Sequence, residues 1–118
     1  MARDHRKLQV FLLADHMVVR IHDATRHMPV HERYGLQGQM RRAAVSVPTN
    51  IVEGCGRNSE ADFLRFLDVA FGSCREVIYL VGLTRRLKMI DPASADEIDR
   101  LCGRVAAGLA ALRRALRR

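Results

Sequence analysis

Aromatic side chains are scarce in this sequence, making up 5% of its 118 residues. Proteins that bind single-stranded nucleic acids often stack the bases on exposed aromatic rings, which are interleaved with lysine or arginine. No such interleaving occurs here. The composition therefore argues against a stacking platform, and any bound nucleic acid would be held mainly through its phosphates, with a strong dependence on salt.

Cysteines are also few, and Cys55, Cys74 and Cys102 are too far apart for a zinc ribbon or a disulfide framework. Their odd number suggests reduced thiols in a cytoplasmic protein. We expect Cys74 to lie in the core and Cys55 to be more accessible. No apolar run approaches the roughly 20 residues of a membrane span, and the apolar segment 10–14 is too short for a signal peptide.

Motifs of the common enzyme classes are missing. The sequence has no G-x-x-x-x-G-K-[ST] loop, no G-x-G-x-x-G after a strand and no H-E-x-x-H. It has no E-x-x-H pair, which a di-iron bundle requires. His27 and His31 stand four residues apart, but Pro29 between them breaks the helical register of a metal-binding pair. We therefore expect no metal, no cofactor and no enzymatic activity.

Positive charge is abundant: 20 lysines and arginines outnumber 13 acidic residues, giving a net charge of +7. Such a surface attracts polyanions. No acid follows Asp99, so the chain ends in a basic segment, whose arginines could also be ordinary solvated residues at a helix C-terminus. The candidate nucleic-acid contacts are Arg41, Arg42, Arg57, Arg85, Arg86, Lys88, Arg113, Arg114, Arg117 and Arg118.

Apolar residues recur at spacings of three and four in four segments, which predicts four helices. The predicted helices span residues 6–27, 34–55, 60–88 and 92–116. Ser59 and Asp91 precede the third and fourth helices as N-caps. Short links and the absence of strand-like alternation predict an all-α protein, an antiparallel up-and-down four-helix bundle forming one domain over residues 1–118.

Pro48 lies within the second predicted helix. A proline inside a regular helix costs about 3 kcal/mol, because it removes a backbone donor and crowds the preceding turn. The apolar spacing nevertheless continues unbroken from Val47 to Ile51. We therefore predict a kinked helix that continues through Pro48, with two shorter helices as the alternative.

A row of polar residues follows the second helix beside its apolar stripe and is joined by polar residues of the third helix. The constellation of interest consists of Ser46, Asn50, Glu53, Ser73 and Glu76. It could be a structural network that holds two helices or two subunits in register, which we favour. Acid–base catalysis is a second interpretation, if burial shifted the pKa of a carboxyl group, and simple solvent exposure is a third.

Two runs carry a resemblance to a known family: RYGLQGQMRRAAVSVPTNIVEGCGR at residues 33–57 and FLRFLDVAFGSCREV at residues 63–77. They contain the pattern Q-x-R-R-A-A-x-S-[IV]-P-x-N-I-x-E-G, followed by F-L-x-x-A-x-G-S-x-x-E. This pattern resembles that of the bacterial four-helix bundle family first associated with open reading frames in 23S rRNA intervening sequences.

The resemblance implies a homopentameric ring without known enzymatic activity. A related branch, the accessory variability determinant of diversity-generating retroelements, is similar in fold and is a basic pentamer that binds its reverse transcriptase and nucleic acid. We therefore expect a non-enzymatic homo-oligomer that binds RNA or DNA through arginine-rich surfaces. The alternative is a protein-interaction scaffold or accessory subunit, for instance to a reverse transcriptase, without direct nucleic-acid binding.

Overall fold

Four long helices make up most of the protein, and the computed structural model describes residues 3–117. They are α1 (Gln9–Thr25), α2 (Leu36–Cys55), α3 (Glu60–Arg86) and α4 (Pro92–Leu116). Two short 3₁₀ turns, His5–Lys7 and Val30–Glu32, precede α1 and α2. Residues 3–117 contain no strand. The predicted all-α four-helix bundle is confirmed.

Each helix packs against two others. Helix α1 contacts α2 and α4, and α3 contacts the same two helices, so α1 lies diagonally across from α3 and α2 across from α4. The links between consecutive helices are short, which makes neighbouring helices antiparallel. As a result, the outer face of α2 and the outer face of α4 point in opposite directions.

The core is built almost entirely from the apolar stripes of the four helices. Thr25 and Thr84 are the buried polar residues of the described chain, and each donates its hydroxyl hydrogen to a carbonyl one turn back in its own helix. Fully burying a large aliphatic or aromatic side chain contributes about 1.5–3 kcal/mol each. The largest fully buried side chains include Phe63, Met17, Ile21, Met40, Ile51 and Leu67.

The ends of α1 differ from the predicted range 6–27. At its start, Asp4 accepts a hydrogen bond from the Arg6 backbone N–H and caps a separate 3₁₀ turn, so the α-helix begins only at Gln9. At its end, Gln37 Nε2 of α2 donates to the carbonyl oxygen of Thr25, at 2.8 Å. Helix α1 stops two residues earlier than predicted, because Pro29 has no N–H to donate to the Thr25 carbonyl oxygen, which accepts from Gln37 instead.

Helix α3 ends at Arg86, two residues before the predicted boundary. Lys88 has φ of 60°, in the left-handed region that a continuing helix cannot use. The Met89 N–H instead donates to the carbonyl oxygen of Thr84, at 2.9 Å, and this bond closes the last turn. The turn reverses the chain into α4, whose first turn is capped by the Asp91 side chain.

Helix α2 runs through Pro48 without interruption, so the predicted continuation is confirmed and the kink stays a prediction. The proline ring is buried, and Val47 and Ile51 beside it are both fully buried. Their burial offsets the roughly 3 kcal/mol that the missing backbone donor costs in a helix interior.

Gly54 allows α2 and α3 to approach closely at the end where they are joined. A Cβ atom on Gly54 would lie 2.9 Å from Phe63 Cδ1 and 3.0 Å from Phe66 Cβ. Both distances are shorter than ordinary carbon–carbon contacts. The chain turns back into α3 shortly after Gly54, and the side chains of Phe63 and Phe66 pack directly on the α2 backbone.

We expect Gly54→Val to lower the free energy of unfolding by about 1–3 kcal/mol, because the new side chain overpacks the contact with Phe63 and Phe66. Urea denaturation measures this change. Gly103→Ala is the matched control: no described atom lies within 4 Å of its Cβ position, so it should raise the free energy of unfolding by about 0.5–1 kcal/mol. An unchanged denaturation midpoint for Gly54→Val would contradict the close approach.

Candidate interaction surfaces

A polar cluster formed by Ser46, Asn50 and Ser73 joins α2 to α3. The hydroxyl oxygens of Ser46 and Ser73 lie 2.8 Å apart. Asn50 Nδ2 donates to the Ser46 carbonyl oxygen at 2.7 Å and to its hydroxyl oxygen at 3.0 Å. All three residues are half-buried. The cluster therefore fixes the register of the two helices through hydrogen bonds that are shielded from water on one side.

The two carboxylates of the predicted constellation lie outside this cluster. Glu53 pairs with Arg57, with 4.0 Å between charged atoms, and Glu76 accepts a hydrogen bond from Gln39 Nε2 at 3.3 Å. Both are exposed, and within residues 3–117 neither forms a hydrogen bond to the polar cluster. General acid–base catalysis requires a carboxylate within hydrogen-bonding reach of the group it serves. The arrangement gives the catalytic interpretation no support.

Arg41 is bound to α1 rather than directed into solvent. Its Nε donates to Thr25 Oγ1 at 2.9 Å and its Nη2 to the carbonyl oxygen of His22 at 3.2 Å. A cation at the C-terminal end of a helix stabilises the helix dipole and satisfies carbonyls that lack partners. Arg41 therefore has a structural role that the sequence did not indicate.

The outer face of α2, consisting of Arg42, Val45, Thr49 and Val52, exposes two valines beside two polar residues. Val45 is 43% exposed and Val52 37% exposed. An open groove of about 470 Å³ runs along this face and is bounded on the α1 side by His22. The face therefore combines exposed valines with polar side chains at its edges, a composition found at protein–protein interfaces.

The surroundings of His22 at the edge of this groove disfavour the charged form of its imidazole. Burial lowers its pKa below the ordinary value, and the neighbouring guanidinium groups of Arg41 and Arg26 lower it further.

Two of the ten candidate nucleic-acid contacts are neutralised by one acid. Arg113 Nε lies 2.8 Å and Arg117 Nη2 3.1 Å from Asp68 of α3. The Arg113 guanidinium also stacks over the Phe71 ring, 4.3 Å from its centre. These two arginines join α4 to α3, so their charge is only partly available to an external polyanion.

Two more candidates are also paired. Arg57 pairs with Glu53 and lies 4.7 Å from the centre of the Phe66 ring, while Arg85 forms an ion pair with Asp96. Arg118 lies outside the described residues. Of the candidates that remain, Arg42, Lys88 and Arg114 are exposed and form no ion pair within residues 3–117, and Arg86 donates to a carbonyl of its own helix. Arg42, Arg86 and Arg114 lie on three different helices, and Lys88 lies in the link between α3 and α4.

A basic row on α4, formed by Arg100, Arg104 and Arg114, was only partly identified from the sequence. All three side chains are exposed, and no ion pair holds them in the described part of the chain. Arg100 and Arg104 lie one turn apart and line a pocket of about 320 Å³ together with His16 of α1 and Glu97 of α4. The row spans about 21 Å at 1.5 Å per residue. The lack of acids after Asp99 was the sequence signal for it.

Other kinds of site are not found in the described chain. Residues 3–117 contain no group of three or more histidine, cysteine or acidic side chains that could hold a metal ion. None of their helices is long and apolar enough to cross a membrane. Cys55, which we expected to be accessible, is 1% exposed, because the N-terminal segment covers it: the Arg3 backbone N–H donates to the Cys55 carbonyl oxygen at 2.7 Å.

A family model described as "23S rRNA-intervening sequence protein" matches residues 6–111. The chain belongs to this family. A crystal structure from Bacteroides thetaiotaomicron VPI-5482, described as a protein with unknown function from the S23 ribosomal protein family, is similar to it with a TM-score of 0.81. That protein is 22% identical in sequence, and the alignment covers 89% of this chain and 95% of the other. No curated protein matches the chain.

In this intervening sequence protein, residues of the family pattern are explained largely by packing. Arg41 caps α1, the polar cluster joins α2 to α3, and Gly54 permits the close approach of those two helices. Neither the family description nor that of the similar structure names an enzymatic activity. The pattern therefore identifies the fold, while the function has to be inferred from the exposed surfaces.

Proposed function

We propose that this intervening sequence protein is a non-enzymatic homo-oligomer that binds RNA or DNA through phosphate contacts from the α4 basic row. The observation that carries the proposal is that Arg100, Arg104 and Arg114 are exposed on one helix and, within residues 3–117, form no ion pair. Guanidinium groups that are not paired with acids can donate two hydrogen bonds to a phosphate. Because such binding releases counterions, it should weaken steeply with salt.

The outer face of α2 is the surface proposed to contact other copies of the chain. It carries the exposed side chains of Val45 and Val52 and lies diagonally opposite α4. In a homopentamer assembled through this face, the α4 rows would remain open to solvent. Five chains would carry a net charge of about +35, and several rows acting together would bind more tightly than one.

A second candidate function is a protein-interaction scaffold or accessory subunit, for instance to a reverse transcriptase, that does not bind nucleic acid directly. The ion pairs of Arg57, Arg85, Arg113 and Arg117 favour it, because they reduce the charge available to a polyanion. In either case we propose a cytoplasmic location, which suits three buried cysteines that are all free.

Sedimentation velocity on the nuclease-treated protein tests the proposal, with a fluorescent RNA hairpin or a DNA duplex present at about 50 mM and about 200 mM salt. We expect an oligomer that carries the nucleic acid at low salt and releases it at high salt. The proposal is wrong if neither nucleic acid shows salt-sensitive binding. An oligomer that binds neither nucleic acid but retains a protein partner after nuclease treatment would favour the protein-interaction scaffold.

A further inference from the structure

The link between α1 and α2 encloses a pocket that the proposed function does not use. Its volume is about 310 Å³, and its apolar wall runs from Met28 to Val30. Three arginines, Arg26, Arg33 and Arg41, complete the lining together with Gln37. No acidic residue of the described chain is among the lining residues.

Arg41 is the fixed member of this group. Its bonds to Thr25 and His22 occupy Nε and Nη2 and hold the half-buried side chain in place. Its Nη1 makes no hydrogen bond within residues 3–117 and can donate to a ligand. A guanidinium that is already immobilised loses little conformational entropy when it binds an anion.

Arg33 gives the pocket an excess of positive charge. Arg26 Nη2 pairs with Asp23 at 2.8 Å, and Arg20, which also contacts Asp23, has Glu97 as a second partner at 2.7 Å. Arg33 is exposed and has no ion pair in the described part of the chain.

Two further features indicate positive potential at this position. The lowered pKa of His22 results from burial first and then from the charges of Arg41 and Arg26. The N-terminus of α2 at Gly35 receives no side-chain hydrogen bond in the described chain, and the Glu32 carboxylate lies beside it. The unpaired N–H groups of a first helical turn favour an anion.

We propose that this pocket binds a phosphomonoester, whose phosphate group is held between Arg26, Arg33 and Arg41. Guanidinium groups match the geometry of phosphate oxygens and bind them through paired N–H donors. Pockets for small molecules have volumes of about 300–1,000 Å³, so this one admits a phosphate with a small group attached. The phosphate could belong to a free mononucleotide or to the 5′ end of RNA or DNA, and the site does not depend on the α4 basic row.

Isothermal titration calorimetry of the full chain tests this proposal with four probes: uridine 5′-monophosphate, uridine, and a uridine trinucleotide with a 5′-phosphate or a 5′-hydroxyl. We expect the monophosphate to bind and uridine not to bind. Arg33→Gln should weaken binding of the monophosphate by about tenfold or more, because it removes charged hydrogen bonds to phosphate. Arg75→Gln, which removes an exposed charge from α3, should leave it unchanged.

The trinucleotides distinguish the two sources of the phosphate. A 5′-phosphorylated trinucleotide that binds as tightly as the monophosphate supports a nucleic-acid end, whereas binding of the monophosphate alone supports a free mononucleotide. Equal binding of uridine and its monophosphate would overturn the proposal, as would equal losses in Arg33→Gln and Arg75→Gln. Charge reversal in the α4 basic row should leave monophosphate binding intact, so failure here is distinguishable from failure of the proposed function.

Discussion

Replacing Arg100 and Arg104 together by glutamate is expected to weaken binding to a short RNA hairpin by about a hundredfold or more at low salt. A hydrogen bond to a charged group contributes about 1.5–3 kcal/mol, so the loss of two such contacts accounts for that factor before any repulsion is counted. The introduced carboxylates would also repel the phosphates. Fluorescence anisotropy at several salt concentrations measures the change.

The salt dependence gives a second, independent measure. Each phosphate contact contributes about 0.7 to 0.9 to the slope of log affinity against log salt, so removing two contacts should reduce that slope by about 1.4 to 1.8. The fold should be unaffected, because both side chains are exposed and form no ion pair within residues 3–117. The urea denaturation midpoint should therefore remain that of the unmodified protein.

Lys7→Glu combined with Arg75→Glu is the matched control, because it makes the same change in net charge. Both residues are exposed, and neither belongs to the α4 basic row nor forms an ion pair in the described chain. This variant should bind the hairpin with a much smaller loss. Equal losses in the two double variants would mean that binding responds to overall charge, and the assignment to α4 would then be wrong.

The helices could be predicted from the sequence because their signals are local. An apolar spacing of three and four needs no knowledge of neighbouring elements, and it carried the prediction of a continuous α2 through Pro48. The helix ends were predicted less accurately. Helix α1 ends at Thr25, because Pro29 has no N–H to donate to its carbonyl oxygen. Gln37 and Arg41, 12 and 16 residues further on, bond to Thr25, and no rule on spacing identifies those contacts.

The candidate surfaces were harder to predict for the same reason. Arg113 and Arg117 pair with Asp68, which lies 45 and 49 residues earlier, so their partial neutralisation depends on the packing of α4 on α3. Conversely, Arg100 and Arg104 remain available because Glu97 beside them is bound by Arg20 of α1, at 2.7 Å. Counting charges along the sequence cannot separate these two cases.

Contacts between helices also decide which residues of the predicted polar constellation lie together and which do not. Two serines on different helices come within 2.8 Å of each other, as expected for rows that face across an interface. Glu53 and Glu76 instead take Arg57 and Gln39 as partners on the exposed side. The cluster that remains holds two helices in register and contains no carboxylate or imidazole.

Val45→Asp is expected to convert the proposed homopentamer into monomers that remain folded. In the isolated chain Val45 is 43% exposed, so an aspartate there should change the free energy of unfolding by only about 0.5 kcal/mol or less. At a subunit interface on the outer face of α2, the same carboxylate would be buried without a partner, which costs several kcal/mol. In a closed ring of identical chains, each interface between neighbouring subunits would contain the substituted residue.

Sedimentation velocity at micromolar concentration should therefore give a single species with the mass of one chain. Leu12→Asp is the control, since Leu12 is 52% exposed on α1 and lies outside the outer face of α2. That variant should sediment like the unmodified protein. If Leu12→Asp separates the subunits and Val45→Asp does not, the interface lies on α1. If the unmodified protein is itself a monomer, the proposed homopentamer is wrong. RNA would then be bound by a single α4 basic row, without the gain in affinity from several rows acting together.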